Sequence, residues 1–214
     1  MNKYLKESIF WILILIPFVY LTTIWSELPK VIPTHFDLSG NPNGWSDKNG
    51  LIILIGLLEI GTYLLMLFIP FFDPKKKIQQ MGDKYYSLRL LMTFFMSALS
   101  VYILYAGNGN KIRPAVLIAL IGAFDAVFGN YLQTVKPNYF IGIRTPWTLE
   151  NEQTWRSTHR MAGRMWMAGG LLIMIMSLAL NSNVELGILF AIVTVIIVLV
   201  PIIYSYKQFK KTHS

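Results

Sequence analysis

NYFIGIRTPWTLENEQTWRSTHRMAGRMW, residues 138–166, is the longest polar, charge-rich interval in a chain otherwise dominated by apolar runs. It opens as a turn. Gly142 tolerates unusual backbone angles, and Pro146 pushes Thr145 toward an extended conformation. A helix is predicted to follow, with Thr148 as N-cap and with Glu150 and Glu152 in the first turn, where carboxylates meet the positive end of the helix dipole. Glu152, Arg156, Arg160 and Arg164 recur every fourth residue, which places them in one row and lets Glu152 pair with Arg156. Trp155, His159, Ala162 and Trp166 form an adjacent stripe. The pattern is that of an interfacial helix entering a membrane.

Working outward, the rest of the chain agrees. Of 214 residues, 54% are hydrophobic and only 14% charged, whereas a soluble domain carries nearer a quarter charged residues. Apolar runs are predicted to span a bilayer at about Ser8 to Trp25, Leu51 to Phe72, Leu88 to Ala106, Pro114 to Val135, Met161 to Leu180 and Leu186 to Tyr206, each near the roughly 20 residues a hydrocarbon core requires. The first run has no small-residue cleavage pattern after it, so it reads as a retained helix, with Pro17 as a kink site. In the fifth, the uninterrupted apolar part starts only at Met165, so Arg164 extends its head group to the interface. The net charge of +8 is a topology signal. Counted on alternate sides of six spans, all but four of the 19 Lys and Arg residues fall on one side, the exceptions being Lys30, Lys48, Lys111 and Arg113. The positive-inside rule then makes both termini, the Asp73 to Ser87 loop and the 138–166 stretch cytoplasmic. The expected fold is an all-α integral membrane protein of six transmembrane helices, in the cell membrane.

Between the first two spans, Glu27 to Gly50 contains IPTHFDLSGNPNGWSDKNG. Phe36 and Leu38 alternate with His35 and Asp37 as in a short strand, and Ser39 to Gly44 is dense in turn formers. A small extracellular cap is predicted, with His35 and Trp45 as its candidate functional residues and Ser46 or Asp47 capping the second helix. A metal needs several ligands in register, and His35 has no neighbouring cysteine or histidine, so packing is its better reading. Glu59 and Asp125 lie deep within apolar runs. Such carboxylates are either functional sites facing a bundle interior or protonated structural hydrogen-bonders. Around Asp125 the residues Ala119, Gly122, Ala123, Ala126, Gly129 and Asn130 provide a small-residue surface suited to close helix contact.

No zinc helix, nucleophile elbow or phosphate loop is present, which argues against an enzyme. The absence of cysteine rules out disulfide frameworks and thiolate sites. No cofactor, metal or direct nucleic-acid partner is expected. The basic stripe has two readings: membrane anchoring, with tryptophans at headgroup level, or recognition of a partner or anionic lipid.

Two blocks carry a family resemblance. Ile32, Pro33, Thr34, His35 and Phe36, with Gly40, Gly44, Trp45 and Lys48, are similar to a domain of unknown function (DUF1648). Asn138, Tyr139, Gly142, Ile143, Arg144, Thr145, Pro146, Trp147 and Thr148, followed by Trp155, His159 and Arg160, resemble the hallmark of the SdpI-like family of bacterial membrane proteins. The resemblance divides the chain into a DUF1648-like region over 1–72, with two spans and the cap, and an SdpI-like four-helix region over 73–214, with its motif loop at 136–164. It implies immunity against a secreted peptide toxin. It also implies that the protein signals by holding a small winged-helix repressor at the membrane. The inner docking surface is then assigned to Arg144, Trp147, Trp155, His159 and Arg160. The competing expectation is a small proton- or ion-coupled transporter using Glu59 and Asp125.

Overall fold

The computed structural model describes residues 2–37, 41–110 and 113–213. The turn formers Ser39 and Gly40 and the basic residue Lys111 lie outside the described residues. Among these residues, six helices are long and apolar enough to cross a membrane. They are α1 (Lys3–Ile24), a second span from Lys48 to Phe72 here called α2, α3 (Asp83–Gly107), α4 (Pro114–Leu132), α6 (Glu152–Ala179) and α7 (Asn183–His213). The short α5 (Pro146–Glu150) precedes α6, and two strands, β1 (Ile32–Phe36) and β2 (Pro42–Ser46), lie between α1 and α2. Leu, Ile, Val and Phe side chains stand exposed along the long helices, which is the expected surface where lipid replaces water as solvent.

Several helices overrun their apolar sequence. An apolar run marks only the hydrocarbon-facing part, and backbone bonding continues through polar turns until a cap stops it. The largest extension at a single end is at the start of α6. Its predicted span starts at Met161, whereas the helix starts at Glu152, with Asn151 as N-cap accepting from the Thr154 amide at 2.8 Å. Thr148 is therefore not the N-cap of this helix. It belongs to α5, where Thr145 is the cap and Thr148 completes a reciprocal capping box. Glu152 does sit in the first turn of α6, while Glu150 ends α5.

The chain forms two compact units. The first comprises Met1–Leu67 and Arg89–Leu117. Leu21, Ile24, Leu28, Ile32, Leu51, Ile55 and Leu104 make its buried cluster. Ile32 ties β1 into that cluster, and Gly107 leaves room for it, because a Cβ there would approach Ile32 Cγ2 to 2.9 Å. Strands β1 and β2 pair antiparallel, with Pro33 opposite Trp45 and His35 opposite Gly44. Across the pair, His35 Nδ1 is hydrogen-bonded to Asn43 Oδ1. Asp47 caps α2 by accepting from the Gly50 amide at 2.7 Å, as its sequence position predicts. Lys48 donates to the Trp25 carbonyl at 2.7 Å, fastening the start of α2 to the end of α1.

The second unit comprises Phe68–Leu88 and Ile118–Ser214. Its centre is a close crossing of α4 and α6. A Cβ on Gly129 would lie 2.4 Å from the Met167 amide nitrogen, and one on Gly170 would lie 2.4 Å from that of Ala126. Only glycine lets the two backbones approach so closely, which is how small residues drive helix association in lipid. The small-residue surface read around Asp125 thus serves helix contact through Gly122, Ala126 and Gly129. Helix α7 packs on the other side of α6: Pro201 has no N–H for the Ile197 carbonyl four residues earlier, and Trp166 Nε1 donates to that oxygen at 2.9 Å instead.

Candidate functional site

The loop between α4 and α6 is held by side chains at nearly every step. Asn138 is buried; its Oδ1 accepts from the Phe140 and Ile141 amides at 2.8 and 2.7 Å, and its Nδ2 donates to the carbonyls of Lys136 and Ile141. One amide side chain thereby takes the place of a secondary-structure ladder. Gly142 follows with φ +109°, and a Cβ there would fall 2.3 Å from His159 Nε2. That nitrogen accepts from the Ile143 amide at 3.0 Å, while Nδ1 meets the Trp155 carbonyl at 2.9 Å. A carbonyl only accepts, so the network assigns the proton to Nδ1 and leaves Nε2 as acceptor.

Thr148 Oγ1 accepts from the Thr145 amide at 3.0 Å and donates to the Ile143 carbonyl at 2.8 Å, closing the turn ahead of α5. Trp147 extends from α5 to α7: its Nε1 donates to Ser205 Oγ, and its ring meets Tyr206 edge-on at 5.3 Å. Ser205 is fully buried.

The five residues proposed from sequence are not all on one exposed face. Trp155 and His159 are 0% and 1% exposed and stack on each other with centroids 4.0 Å apart. Trp155 Nε1 also donates to the Val135 carbonyl at 2.8 Å. These two rings form the inner wall of the loop. Arg144 and Arg160 are exposed, and Trp147 is half-buried. Arg144 Nη1 donates to the Tyr139 carbonyl at 2.6 Å, so its guanidinium is held against the turn with its remaining donors outward. Lys75 lies over the Tyr139 ring at 5.3 Å, and its hydrogen bond with Tyr139 raises the ammonium pKa.

Beside the loop runs a cleft of about 440 Å³, lined by Lys77, Lys136, Arg156 and Arg160 with one carboxylate, Glu152. Glu152 pairs with Arg156 at 2.7 Å, as the four-residue spacing predicts. Both are exposed, so the pair contributes little to stability. The cleft remains a net basic surface.

In the first unit His35 is exposed and Trp45 is 58% exposed, on the two strands of the cap. Glu59, 1% exposed, belongs to the first unit, and Asp125, 8% exposed, to the second. The structural residues that sequence reading missed are Asn151, Thr145 and Ser205, together with the side-chain role of Asn138. The first two carried a legible signal, since Asn151-x-x-Thr154 and Thr145-Pro-x-Thr148 are both capping patterns. Ser205 carried none, because its partner is 58 residues away.

Six helices long and apolar enough to cross a membrane, with a side-chain-braced loop between the fourth and fifth, are the architecture of a multi-pass membrane protein. Residues 134–205, from that loop into the last span, match the SdpI/YfhL protein family, and residues 12–58 match a domain of unknown function, DUF1648. The chain is also 28% identical over 211 residues to the immunity protein SdpI of Bacillus subtilis (strain 168), covering 96% of this chain and 97% of that one. The SdpI-like resemblance of both sequence blocks is thereby borne out. No solved structure matches the chain.

Proposed function

We infer that the chain is a bacterial multi-pass membrane immunity protein, protecting its cell from a secreted peptide toxin. The observation that carries this reading is the end-to-end similarity to a curated immunity protein, which spans both matched regions rather than one shared segment. Function is a property of sites rather than folds, and here the SdpI/YfhL match includes the braced loop. The proposed division is a DUF1648-like region over 1–72 and an SdpI-like region over 73–214.

The orientation proposed is both termini and the 138–166 loop in the cytoplasm, with the β1–β2 cap outside. The Lys and Arg bias supports it. In this arrangement the cap, with His35 and Trp45, meets the toxin, and the loop docks a small winged-helix repressor through Arg144, Trp147 and Arg160. Trp155 and His159 act in that docking by holding the loop's shape. No catalytic step is involved. Expression in a toxin-sensitive bacterial host tests the proposal. Survival under the secreted sporulation-delay peptide should rise well above a vector control at verified membrane expression, and unchanged killing would overturn the immunity reading.

A further inference from the structure

Glu59 sits where helix α2 changes its winding. Residues Leu57–Gly61 form a π-helical turn between two α-helical halves. The buried residues of this span begin Leu51, Ile55, Glu59, Tyr63, one every fourth position. On an unbroken α-helix such a row drifts by about 40° per step. The wider π turn removes that drift in the middle, bringing Glu59 and Tyr63 back to the face that Leu51 and Ile55 bury. Single π turns of this kind are frequent at functional sites.

The carboxyl so placed faces the buried Ser100 hydroxyl of α3, and beyond that neighbour neither Glu59 oxygen nor Ser100 Oγ has a hydrogen-bond partner among the described residues. The other ionisable groups turned into this interior are already committed. Tyr63 donates to Glu7 of α1 at 2.8 Å, and Arg89 of α3 pairs with Glu7 at 3.3 Å while covering the Phe10 ring. Among the described residues Glu59 has no ion-pair partner within hydrogen-bond reach, and burying a carboxylate uncompensated is expensive.

Helix α3 connects the two places. Arg89, Thr93, Ser97 and Ser100 follow one face of it, and the last three are buried polar residues in a unit otherwise cored by Leu and Ile. Ser100 lies about 16 Å along the axis from Arg89, at 1.5 Å per residue. Ser97 Oγ donates to the Leu13 carbonyl of α1 at 2.9 Å, so this polar face lies between the Glu7–Arg89 pair and the carboxyl without forming a continuous hydrogen-bonded chain.

We propose that Glu59 is a proton-binding site inside the first unit, reached along the Thr93–Ser97–Ser100 face of α3. The reaction is simple: the carboxylate takes one proton from water, leaving hydroxide to the medium, and the neutral acid then donates to Ser100 Oγ. A metal cation fits less well. Hard cations take six or more oxygens, and the facing set is two carboxylate oxygens and one hydroxyl; among the described residues no three His, Cys, Asp or Glu side chains assemble. This inference does not depend on the immunity reading.

Infrared titration of the full-length protein in lipid nanodiscs tests it. A carboxylic-acid C=O band should appear as pH falls, vanish in Glu59→Gln and persist in Asp125→Asn. Ser100→Ala should shift its frequency by removing the acceptor, which keeps the assignment testable if Glu59→Gln does not fold. Thr93→Val with Ser97→Ala should slow the deuterium shift of that band at least several-fold without removing it. A band unaffected by both Glu59→Gln and Ser100→Ala, or a titration midpoint displaced by sodium at constant ionic strength, would overturn the proton site. An unchanged deuteration rate would overturn the route.

Discussion

His159 Nε2 accepts a hydrogen bond from the Ile143 amide at 3.0 Å, joining residues 16 positions apart. The imidazole thus acts as a bracket between α6 and the turn it precedes in space, and Gly142 has no side chain because the ring occupies that volume. Gly142→Ala places a methyl in a left-handed backbone region and against the ring. We expect a loss of about 2–3 kcal/mol, combining backbone strain with one displaced hydrogen bond. Thermal unfolding in detergent, at equal membrane yield, reads it. A melting temperature matching the parent would remove His159 as the brace.

The Trp147–Ser205 bond predicts coupling between α5 and α7. Ser205→Ala leaves the indole N–H without its partner, at a cost of about 1–3 kcal/mol. Trp147→Phe removes the donor as well, so the double variant should be less destabilised than the sum of the two singles. A double-mutant cycle measures this, and strict additivity would show that the bond contributes nothing.

Close packing of α4 on α6 predicts a stability effect that depends on position. In Gly170→Val the added carbons meet the Ala126 amide and the Gly122 carbonyl, both backbone atoms that cannot rotate away. The helices must separate, costing about 1–3 kcal/mol or more. Gly56→Ala is the contrast, since a Cβ there meets nothing within 4 Å. It should unfold at or slightly above the parent temperature, because alanine is the better helix former. Equal effects of the two substitutions would contradict the crossing.

What the sequence disclosed and what it hid divide along physical lines. The six helices were legible because lipid demands long apolar runs, and Asp47 was legible because capping is local. Helix α6 was started too early, at a Thr148 cap, because a short separate helix ends at Glu150 and the Asn151 cap restarts the winding within a continuous polar stretch. Periodicity put Trp155 and His159 on one stripe, but a stripe does not reveal whether Val135 and Ile143 cover it. The Glu7–Arg89 pair joins residues 82 apart, and the π turn at Leu57–Gly61 departs from the regular winding that an apolar run predicts. Neither leaves a mark in local sequence.

Orientation can be read chemically because the chain has no cysteine. Single cysteines at Trp45 and Arg156, both exposed positions, will be the only thiols present. A membrane-impermeant maleimide applied to intact cells should label Trp45→Cys and leave Arg156→Cys unlabelled until the cells are broken. The reverse pattern would place the cap in the cytoplasm and remove it from any encounter with a secreted toxin.

Arg144 separates docking from anchoring. Its guanidinium is held by the Tyr139 carbonyl at 2.6 Å while the side chain stays exposed, so a planar fork with free donors is presented at a fixed place. If the loop only sets helix depth, Arg144→Lys should be mild, because lysine keeps the positive charge at the headgroup level. If the loop docks a partner, lysine loses the bidentate fork that carboxylate recognition uses. We therefore expect Arg144→Lys to lower membrane recruitment of a co-expressed winged-helix repressor about tenfold, equivalent to roughly 1.4 kcal/mol, at unchanged insertion. Fluorescent repressor counted at the membrane, with toxin survival followed in parallel, distinguishes the outcomes. Normal recruitment in Arg144→Lys at normal expression would leave this arginine as an anchor. Loss of recruitment with survival intact would show that signalling and protection use different surfaces of the same protein.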